Sequence, residues 1–182
     1  MTYDFHGHWD KITGHVSPLF YHPDDFEATF HTEAAIDYWL EKGAPKNKIV
    51  MGMPLYGQSF SLAKPDENGL NAKAPEKGQA GQYTRQAGFL AYYEICTKIQ
   101  REGFQVNVDS DRRIGPYAFK GRQWISFDDV EMLQLKSEYI REKGLAGGMI
   151  WALDLDDFNN VCGQGKHPLL RTIAQVLAPP RG

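Results

Sequence analysis

The sequence predicts an α/β fold in which strands and helices alternate along the chain. Three short apolar segments, at residues 1–5, 48–54 and 146–151, have the length and composition of buried strands. A segment with helical spacing follows each of them, directly or after a loop or an insertion. Repeated strand-then-helix units are typical of a parallel sheet, either doubly wound or closed into a barrel. Three strands are too few for a closed barrel, which needs eight.

A long loop separates the first strand from the first helix. Residues 1–5 are apolar and aromatic, whereas residues 7–30 are polar and rich in proline, histidine and aspartate. The helix that follows is predicted to have Thr32 as its N-cap. Gly43 marks its expected end.

The second strand leads into a region of different character. Residues 48–54 are almost continuously apolar, as expected of a parallel strand covered on both faces. Between residues 57 and 121, glycine and proline become frequent and the strand–helix alternation breaks. We expect an inserted α+β module there, with a helix at 84–101 and strands at 104–108 and 116–119.

Two more helices are predicted in the last third of the chain. Ser126, with Asp129 three residues later, resembles a capping box for a helix that ends at Gly144. Pro168 suits the first position of the last helix, and the Pro-Pro pair at 179–180 is expected to stop it.

Composition excludes several classes of protein. The 182 residues are 42% hydrophobic and 24% charged, with a net charge of -3, so we expect a globular protein without a nucleic-acid partner. No apolar run approaches the roughly 20 residues that cross a bilayer, so no membrane partner is expected. Met1 leads into a polar residue instead of a secretory leader, a start that suggests the middle of a domain.

The cysteines and histidines show no metal-binding spacing. Cys96 and Cys162 do not form a C-x-x-C pair, and residue types alone leave open two buried thiols or one disulfide. The histidines near the N-terminus lie in a predicted loop without a carboxylate at zinc spacing. We therefore expect neither a metal nor an organic cofactor.

The predicted strands end in residues suited to sugar binding. Tyr3 and Asp4 end the first strand, Tyr56 follows the second, and Trp151 ends the third. In parallel α/β structures, ligands bind at the carboxyl ends of the strands. Aromatic rings with a few hydrogen-bonding groups suit a saccharide, which has an apolar C–H face and a polar edge. The alternative is that Tyr56 and Trp151 are simply large core residues.

Three long motifs also resemble glycoside hydrolase family 18, especially the animal and arthropod chitinases. MTYDFHG at 1–7 is similar to the sixth barrel strand, GMPLYGQSF at 52–60 to the seventh, and GGMIWALDLDDF at 147–158 to the eighth. LAYYEIC at 90–96 resembles the helix of the chitinase insertion domain. The resemblance implies strands 6–8 of a (β/α)8 TIM barrel, from residues 1–56 and 122–182, with an α+β insertion domain at 57–121.

The resemblance also implies roles for individual residues. Tyr3 and Asp4 would act at the cleavage point, where this family uses the substrate's acetamido oxygen as internal nucleophile, outside the usual two-carboxylate scheme. Trp151 would form the floor under that sugar. Further substrate contacts are implied for Met1, Tyr56, Gln58 and Met149. The implied partners are chitin or N-acetylglucosamine oligosaccharides.

Two other features follow from the resemblance. Cys96 and Cys162 match a disulfide that ties the insertion domain to the loop after the eighth strand, and an extracellular location is implied. Many relatives carry arginine where this chain has Gln58, so we expect weaker or altered sugar contacts there.

The family's general acid is missing from this chain. It is the glutamate of an Asp-x-x-Asp-x-Asp-x-Glu strand, and this pattern occurs nowhere in the sequence. General acid catalysis contributes roughly 10²–10⁴ in rate, so we expect the chain alone to be inactive. It would then be a piece of an active chitinase, a chitinase-like lectin, or an unrelated α/β binding domain. In the first two cases, unpaired strand edges predict self-association.

Overall fold

The computed structural model describes residues 1–178, which form two sheets and four α-helices. The helices are α1 (Thr32–Glu41), α2 (Tyr92–Glu102), α3 (Val130–Lys143) and α4 (Pro168–Leu177). The strands are β1 (Val50–Pro54), β2 (Tyr56–Ser61), β3 (Glu76–Lys77), β4 (Phe89–Ala91), β5 (Gln105–Asn107), β6 (Tyr117–Lys120), β7 (Gln123–Ser126) and β8 (Gly147–Trp151). Within this range no helix is long and apolar enough to cross a membrane. The helix stop predicted at 179–180 lies outside the described residues.

Strands β1 and β8 pair in parallel, as the alternation of strands and helices predicted. Their register runs from Val50 opposite Gly147 to Pro54 opposite Trp151. Every residue of β1 after Val50 is buried, which agrees with a strand covered on both faces. Helices α3 and α4 pack against each other and against β8. The α/β class is therefore confirmed, while closure into an eight-stranded barrel stays a prediction.

The other sheet is antiparallel and begins immediately after β1. Its strand order is β3-β2-β7-β6-β5, and β4 also pairs with β2. Only Leu55 separates β1 from β2, so this sheet starts at the edge where the parallel strands end. Strands β5 and β6 were predicted, whereas β2 and β7 were not. The division at residues 57 and 121 stays a prediction, and β7, beyond residue 121, belongs to this sheet.

Residues 1–5 do not form the predicted strand. Asp4 has a φ of 57°, which interrupts an extended backbone. The segment is attached to β1 by a side chain instead of a backbone ladder, because the Thr2 hydroxyl donates to the carbonyl of Gly52 at 2.6 Å. The segment nevertheless lies beside β1, where the prediction placed it.

The predicted helix at 84–101 begins later than expected. Residues Phe89–Ala91 form β4, which pairs with β2, and α2 starts only at Tyr92. The buried Glu94 carboxylate accepts hydrogen bonds from the amides of Tyr83, at 2.8 Å, and of Ala91, at 3.0 Å. This carboxylate caps α2 and holds the preceding loop away from the helix axis. The apolar pattern before residue 92 therefore reflects packing of a strand and a loop.

In two helices the N-cap is a residue other than the predicted one. His31 caps α1 instead of Thr32, and Asp129 caps α3 instead of Ser126. Each side chain accepts a hydrogen bond from the amide at the third helical position, at 3.2 and 2.8 Å respectively. Ser126 is unable to cap the helix because it lies in β7. Pro168 occupies the first position of α4, as predicted.

A continuous apolar core joins the two sheets. It includes Met53 of β1, Leu55 between the sheets and Ile95 of α2, all with no exposed surface. A smaller cluster surrounds Phe60 and Trp124, whose rings meet edge to face at 5.4 Å. Because the core is shared, the ends of the parallel strands have a defined position relative to the antiparallel sheet.

Candidate functional site

One cavity of about 490 Å³ lies where the parallel strands end. Six of the seven residues predicted to contact the sugar line it: Met1, Tyr3, Asp4, Tyr56, Gln58 and Trp151. The parallel register explains this convergence, because it sets Trp151 opposite Pro54, two residues before Tyr56. Met149 does not line the cavity. Its methyl group lies close to Gly52, where an added Cβ would meet it at 3.3 Å and Tyr3 at 2.9 Å.

Asp4 lies at the centre of the polar contacts. Its Oδ1 atom accepts hydrogen bonds from the Tyr56 hydroxyl at 2.8 Å and from the Gln58 amide at 2.9 Å. Its Oδ2 atom accepts no hydrogen bond from residues 1–178, so one carboxylate oxygen is available to a ligand. The φ of 57° at Asp4 is unusual for a residue with a side chain, although aspartate tolerates it better than most.

Tyr3 brings a buried hydroxyl to the same cavity. Among the described residues this hydroxyl has no hydrogen-bond partner. A buried polar group without a partner costs about 1–3 kcal/mol, which a ligand acceptor would recover. Burial, with the negative charge of Asp4, raises the pKa of Tyr3, so the phenol keeps its proton. It is therefore a hydrogen-bond donor near neutral pH.

Two aromatic rings pack against the ring of Tyr56. Its ring stacks on Phe89, with the centroids 4.7 Å apart and the planes 27° apart. The ring of Tyr3 meets it edge to face at 6.0 Å. Burial, with the adjacent Asp4 carboxylate, raises the pKa of Tyr56, which keeps its hydroxyl a donor to Asp4. The orientation of the Asp4 carboxylate is therefore set by aromatic packing as well as by hydrogen bonds.

Trp151 presents its indole at the open side of the cavity. It is the last residue of β8, 55% of its surface is exposed, and its peptide bond to Ala152 is cis. The indole is therefore not sealed in the core, which rejects the alternative raised from sequence for Trp151. Tyr56, by contrast, is only 3% exposed and packs in the core while its hydroxyl reaches Asp4.

Sequence reasoning missed three other residues that line this cavity, namely Trp9, Gln86 and Phe89. Trp9 lies in the predicted loop, and 48% of its surface is exposed. Its ring covers Gly7, where an added Cβ would approach the ring to 2.3 Å. The sequence contained one signal for this residue: Trp9 closely follows the first motif and has a glycine two positions before it.

A buried ion pair supports the segment that carries Tyr3 and Asp4. The Lys136 ammonium donates to the Asp128 carboxylate at 2.5 Å and to the Ser17 hydroxyl and carbonyl, both at 2.6 Å. The Ser17 hydroxyl in turn donates to the carbonyl of Thr2 at 2.6 Å. Lys136 and Asp128 are almost completely buried, so the backbone before Tyr3 is connected to α3 through a chain of charged and polar contacts.

The disulfide implied by the resemblance is present. Cys96 of α2 is bonded to Cys162 in the loop after β8, with a Cα–Cα distance of 5.3 Å. The bond spans 66 residues and ties the antiparallel sheet's helix to the end of the parallel pair. Buried thiols, the other alternative, are therefore excluded.

Comparison with known proteins identifies the family. The model of Glycosyl hydrolases family 18 matches residues 1–156. The chain belongs to this family. Probable chitinase 10 of Drosophila melanogaster is 60% identical over 180 residues, which are 99% of this chain and 8% of that protein.

Solved family 18 structures resemble the chain closely. Group II chitinase catalytic domain 2 of Ostrinia furnacalis gives a TM-score of 0.95 at 50% identity, over 99% of this chain and 48% of the solved one. Human YKL-39, described as a pseudo-chitinase with retained chitooligosaccharide binding properties, gives 0.91 at 41% identity, over 98% and 50%. The chain thus spans about half the length of these solved relatives.

The acidic groups of the site differ from the family 18 motif. Asp4 is the one carboxylate among the described residues that line the cavity. Asp129 lies outside the cavity lining, and its carboxylate caps α3. Aromatic rings and hydrogen-bonding groups therefore surround a single carboxylate in the part of the cavity that residues 1–178 form.

Proposed function

We propose that this chain is the sugar-binding portion of a family 18 chitinase that hydrolyses β-1,4-linked N-acetylglucosamine polymers. Membership of the family and the single cavity that joins Asp4, Tyr56 and Trp151 support this proposal. In it, the chain binds chitin or its oligosaccharides, and the general acid comes from the part of the domain outside this chain. The chain alone binds the substrate without cleaving it.

The proposed mechanism is substrate-assisted and retains the anomeric configuration. The acetamido oxygen of the bound sugar attacks its own anomeric carbon while the glycosidic bond breaks, and the departing oxygen takes a proton from the general acid outside this chain. Water then opens the oxazolinium intermediate and returns a proton to that acid. Tyr3 donates its unpaired hydroxyl to the acetamido group and holds it in line. Asp4 orients that group through its free Oδ2 atom and, through Oδ1, remains fixed by Tyr56 and Gln58.

The remaining residues bind the rest of the saccharide. Trp151 stacks on the apolar face of the sugar, and Met1 borders the same space. Gln58 donates one amide hydrogen to Asp4. Its neutral side chain stands where many relatives have a charged donor. Met149 acts from outside the cavity lining, where its methyl group lies close to Gly52.

The proposal also covers the architecture and location of the protein. Strands β1 and β8 are adjacent strands, the seventh and eighth, of a (β/α)8 barrel, with residues 1–5 at the position of the sixth. The insertion domain is proposed at residues 57–121, which contribute most of the antiparallel sheet, while β7 follows this range. A disulfide is typical of proteins in oxidising compartments, which supports an extracellular location.

Binding of N-acetylglucosamine oligomers tests the proposal. We expect Trp151→Ala to weaken the affinity about tenfold or more, because stacking of an aromatic ring contributes roughly 1.5–3 kcal/mol. Isothermal titration calorimetry measures this without relying on the fluorescence of the deleted indole. Trp39→Ala is a matched control, since Trp39 is 60% exposed on α1 and does not line the cavity. Unchanged affinity in the Trp151 variant would refute the proposed site.

A second candidate function is a chitin-binding lectin on the same fold. The similarity to YKL-39, described as a pseudo-chitinase with retained chitooligosaccharide binding properties, favours it. A chain that includes the upstream half of the domain separates the two functions. Turnover of chitin oligomers, with glutamate at the end of the upstream motif, identifies an enzyme. Binding without turnover, with another residue there, identifies a lectin.

A further inference from the structure

A second cavity, of about 220 Å³, lies between α2 and the loop that follows β8. Three aromatic side chains form its walls: Tyr83, Tyr93 and Phe158. Tyr93 stands between the other two, with ring centroids 5.8 Å from Tyr83 and 5.6 Å from Phe158, both edge to face. These exposed aromatic surfaces are arranged around a concave space, which is typical of a ligand site.

The polar groups of this cavity are mostly donors without partners. Arg101 lies two helical turns beyond Tyr93 on the same face of α2, and Gln82 and Asn159 complete the rim. None of these three side chains is hydrogen-bonded to another part of residues 1–178. Asp157 also borders the cavity, but its carboxylate is occupied by the amides of Val161 and Cys162, at 2.9 and 2.7 Å. The cavity therefore presents aromatic surfaces together with amide and guanidinium groups.

The two cavities share one loop. Gln82 and Tyr83 line the second cavity, and Gln86 lines the one that contains Asp4. Three residues of chain reach at most about 11 Å, so the parts of this loop that line the two cavities lie within that distance of each other. The Glu94 carboxylate fixes this loop by accepting from the amides of Tyr83 and Thr84, at 2.8 and 3.1 Å.

We propose that the second cavity binds another N-acetylhexosamine unit of the same polymer that occupies the cavity at Asp4. This inference rests on the proposed function, because it assumes that the ligand of the first cavity is a chain of such units. The aromatic walls suit the apolar face of a sugar ring. The free amide and guanidinium donors suit its hydroxyl and acetamido oxygens. A ligand long enough to reach both cavities binds more tightly than a short one.

Oligosaccharide length tests the proposal. We measure dissociation constants of this chain for the N-acetylglucosamine disaccharide and hexasaccharide by isothermal titration calorimetry. Tyr83→Ala is expected to weaken hexasaccharide binding roughly fivefold, the equivalent of one aromatic contact, and to leave disaccharide binding unchanged. The variant keeps the loop anchored, since Glu94 binds the backbone amide of Tyr83. Tyr38→Ala, which removes an exposed tyrosine of α1, is the matched control.

The outcomes separate this inference from the proposed function. Arg101→Gln changes an exposed residue of α2 and should also weaken binding of the hexasaccharide without weakening binding of the disaccharide. The same result in two separate variants excludes a folding defect in Tyr83→Ala as its cause. If Trp151→Ala weakens both ligands while neither second-cavity variant weakens the hexasaccharide, the second site is wrong and the proposed function stands. If Tyr83→Ala weakens binding of the disaccharide and of the hexasaccharide equally, the second site is also wrong. If Trp151→Ala changes neither affinity, the proposed function fails.

Discussion

His15 is a fully buried residue beneath the segment that carries Tyr3 and Asp4. Its Nε2 atom lies 3.1 Å from the carbonyl oxygen of Phe127, and its Nδ1 atom accepts the amide of Ser17 at 3.1 Å. Nε2 therefore carries the proton of the neutral ring, because a carbonyl oxygen requires a donor. Burial, together with the positive charge of Lys136, lowers the pKa of His15 to about 3.

This lowered pKa predicts a loss of stability in acid. As pH falls from 6.5 towards 3, the unfolded chain takes up a proton at His15 that the folded chain does not. The free energy of unfolding should therefore fall in this window, by up to about 1.4 kcal/mol per pH unit from this residue. Urea unfolding across the window measures the slope.

A variant assigns that slope to His15. His15→Gln should flatten the dependence of the unfolding free energy on pH, because glutamine does not titrate. His22→Gln is the control, since His22 is a neighbouring histidine that is only partly buried. Equal slopes in the wild type and in His15→Gln would contradict the prediction.

Residues at the ends of predicted strands were accessible to sequence reasoning. One rule, that parallel strands end at the same edge, brought Tyr56 and Trp151 together. The same rule placed Asp4 beside them, although residues 1–5 form no strand. Gln86 and Phe89 were not predicted, because their positions depend on how β4 pairs with β2 and how the loop before it folds. Such long-range contacts leave no periodic pattern in the sequence.

At the scale of elements, the Cys96–Cys162 bond joins α2 to the loop after β8. A cross-link over 66 residues restricts the unfolded chain strongly. We expect the double variant Cys96→Ser, Cys162→Ser to lose about 2–4 kcal/mol of unfolding free energy. Thermal and urea unfolding measure this loss.

Reduction provides an independent comparison for the disulfide. Wild-type protein treated with a reducing agent should unfold at the same urea concentration as the double serine variant, whereas the variant should not respond to the reagent. An unchanged midpoint in both samples would show that the bond does not contribute to stability.

Elements with a clear apolar pattern were predicted well, whatever their length. The helices α3 and α4 and the strands β1 and β8 have strong periodic or continuous apolar patterns, and they were found within a few residues. Strands β2 and β7 combine polar and apolar residues that are nearly all buried by neighbouring strands. Their serine and glutamine residues resemble a loop, and pairing with each other and with neighbouring strands makes them strands.

At the scale of the whole molecule, the parallel pair is incomplete. Among the described residues β1 and β8 pair only with each other, so each has one unpaired backbone edge. Parallel strands are normally covered on both faces, yet Val50 is 51% exposed and Trp151 is 55% exposed. Exposed edges of this kind invite pairing with another chain.

We expect the isolated chain to self-associate in a concentration-dependent manner. Val50→Lys should reduce the association, because a charged side chain on an edge strand opposes pairing. Sedimentation velocity over a range of concentrations measures both effects. Tyr38→Lys, which places a charge at an exposed position of helix α1 instead of on an edge strand, is the control. A monomer with a sharp thermal transition at every concentration would contradict the expectation.

The Glu94 carboxylate separates two kinds of position in the loop before β4. A Cβ at Gly81 would lie 2.2 Å from this carboxylate, whereas Gln82, Tyr83 and Gln86 line the two cavities. Substitution of Gly81 is therefore expected to disturb the packing of the loop against α2. The other three positions can be redesigned for a ligand of different shape while the backbone contacts that hold the loop are kept.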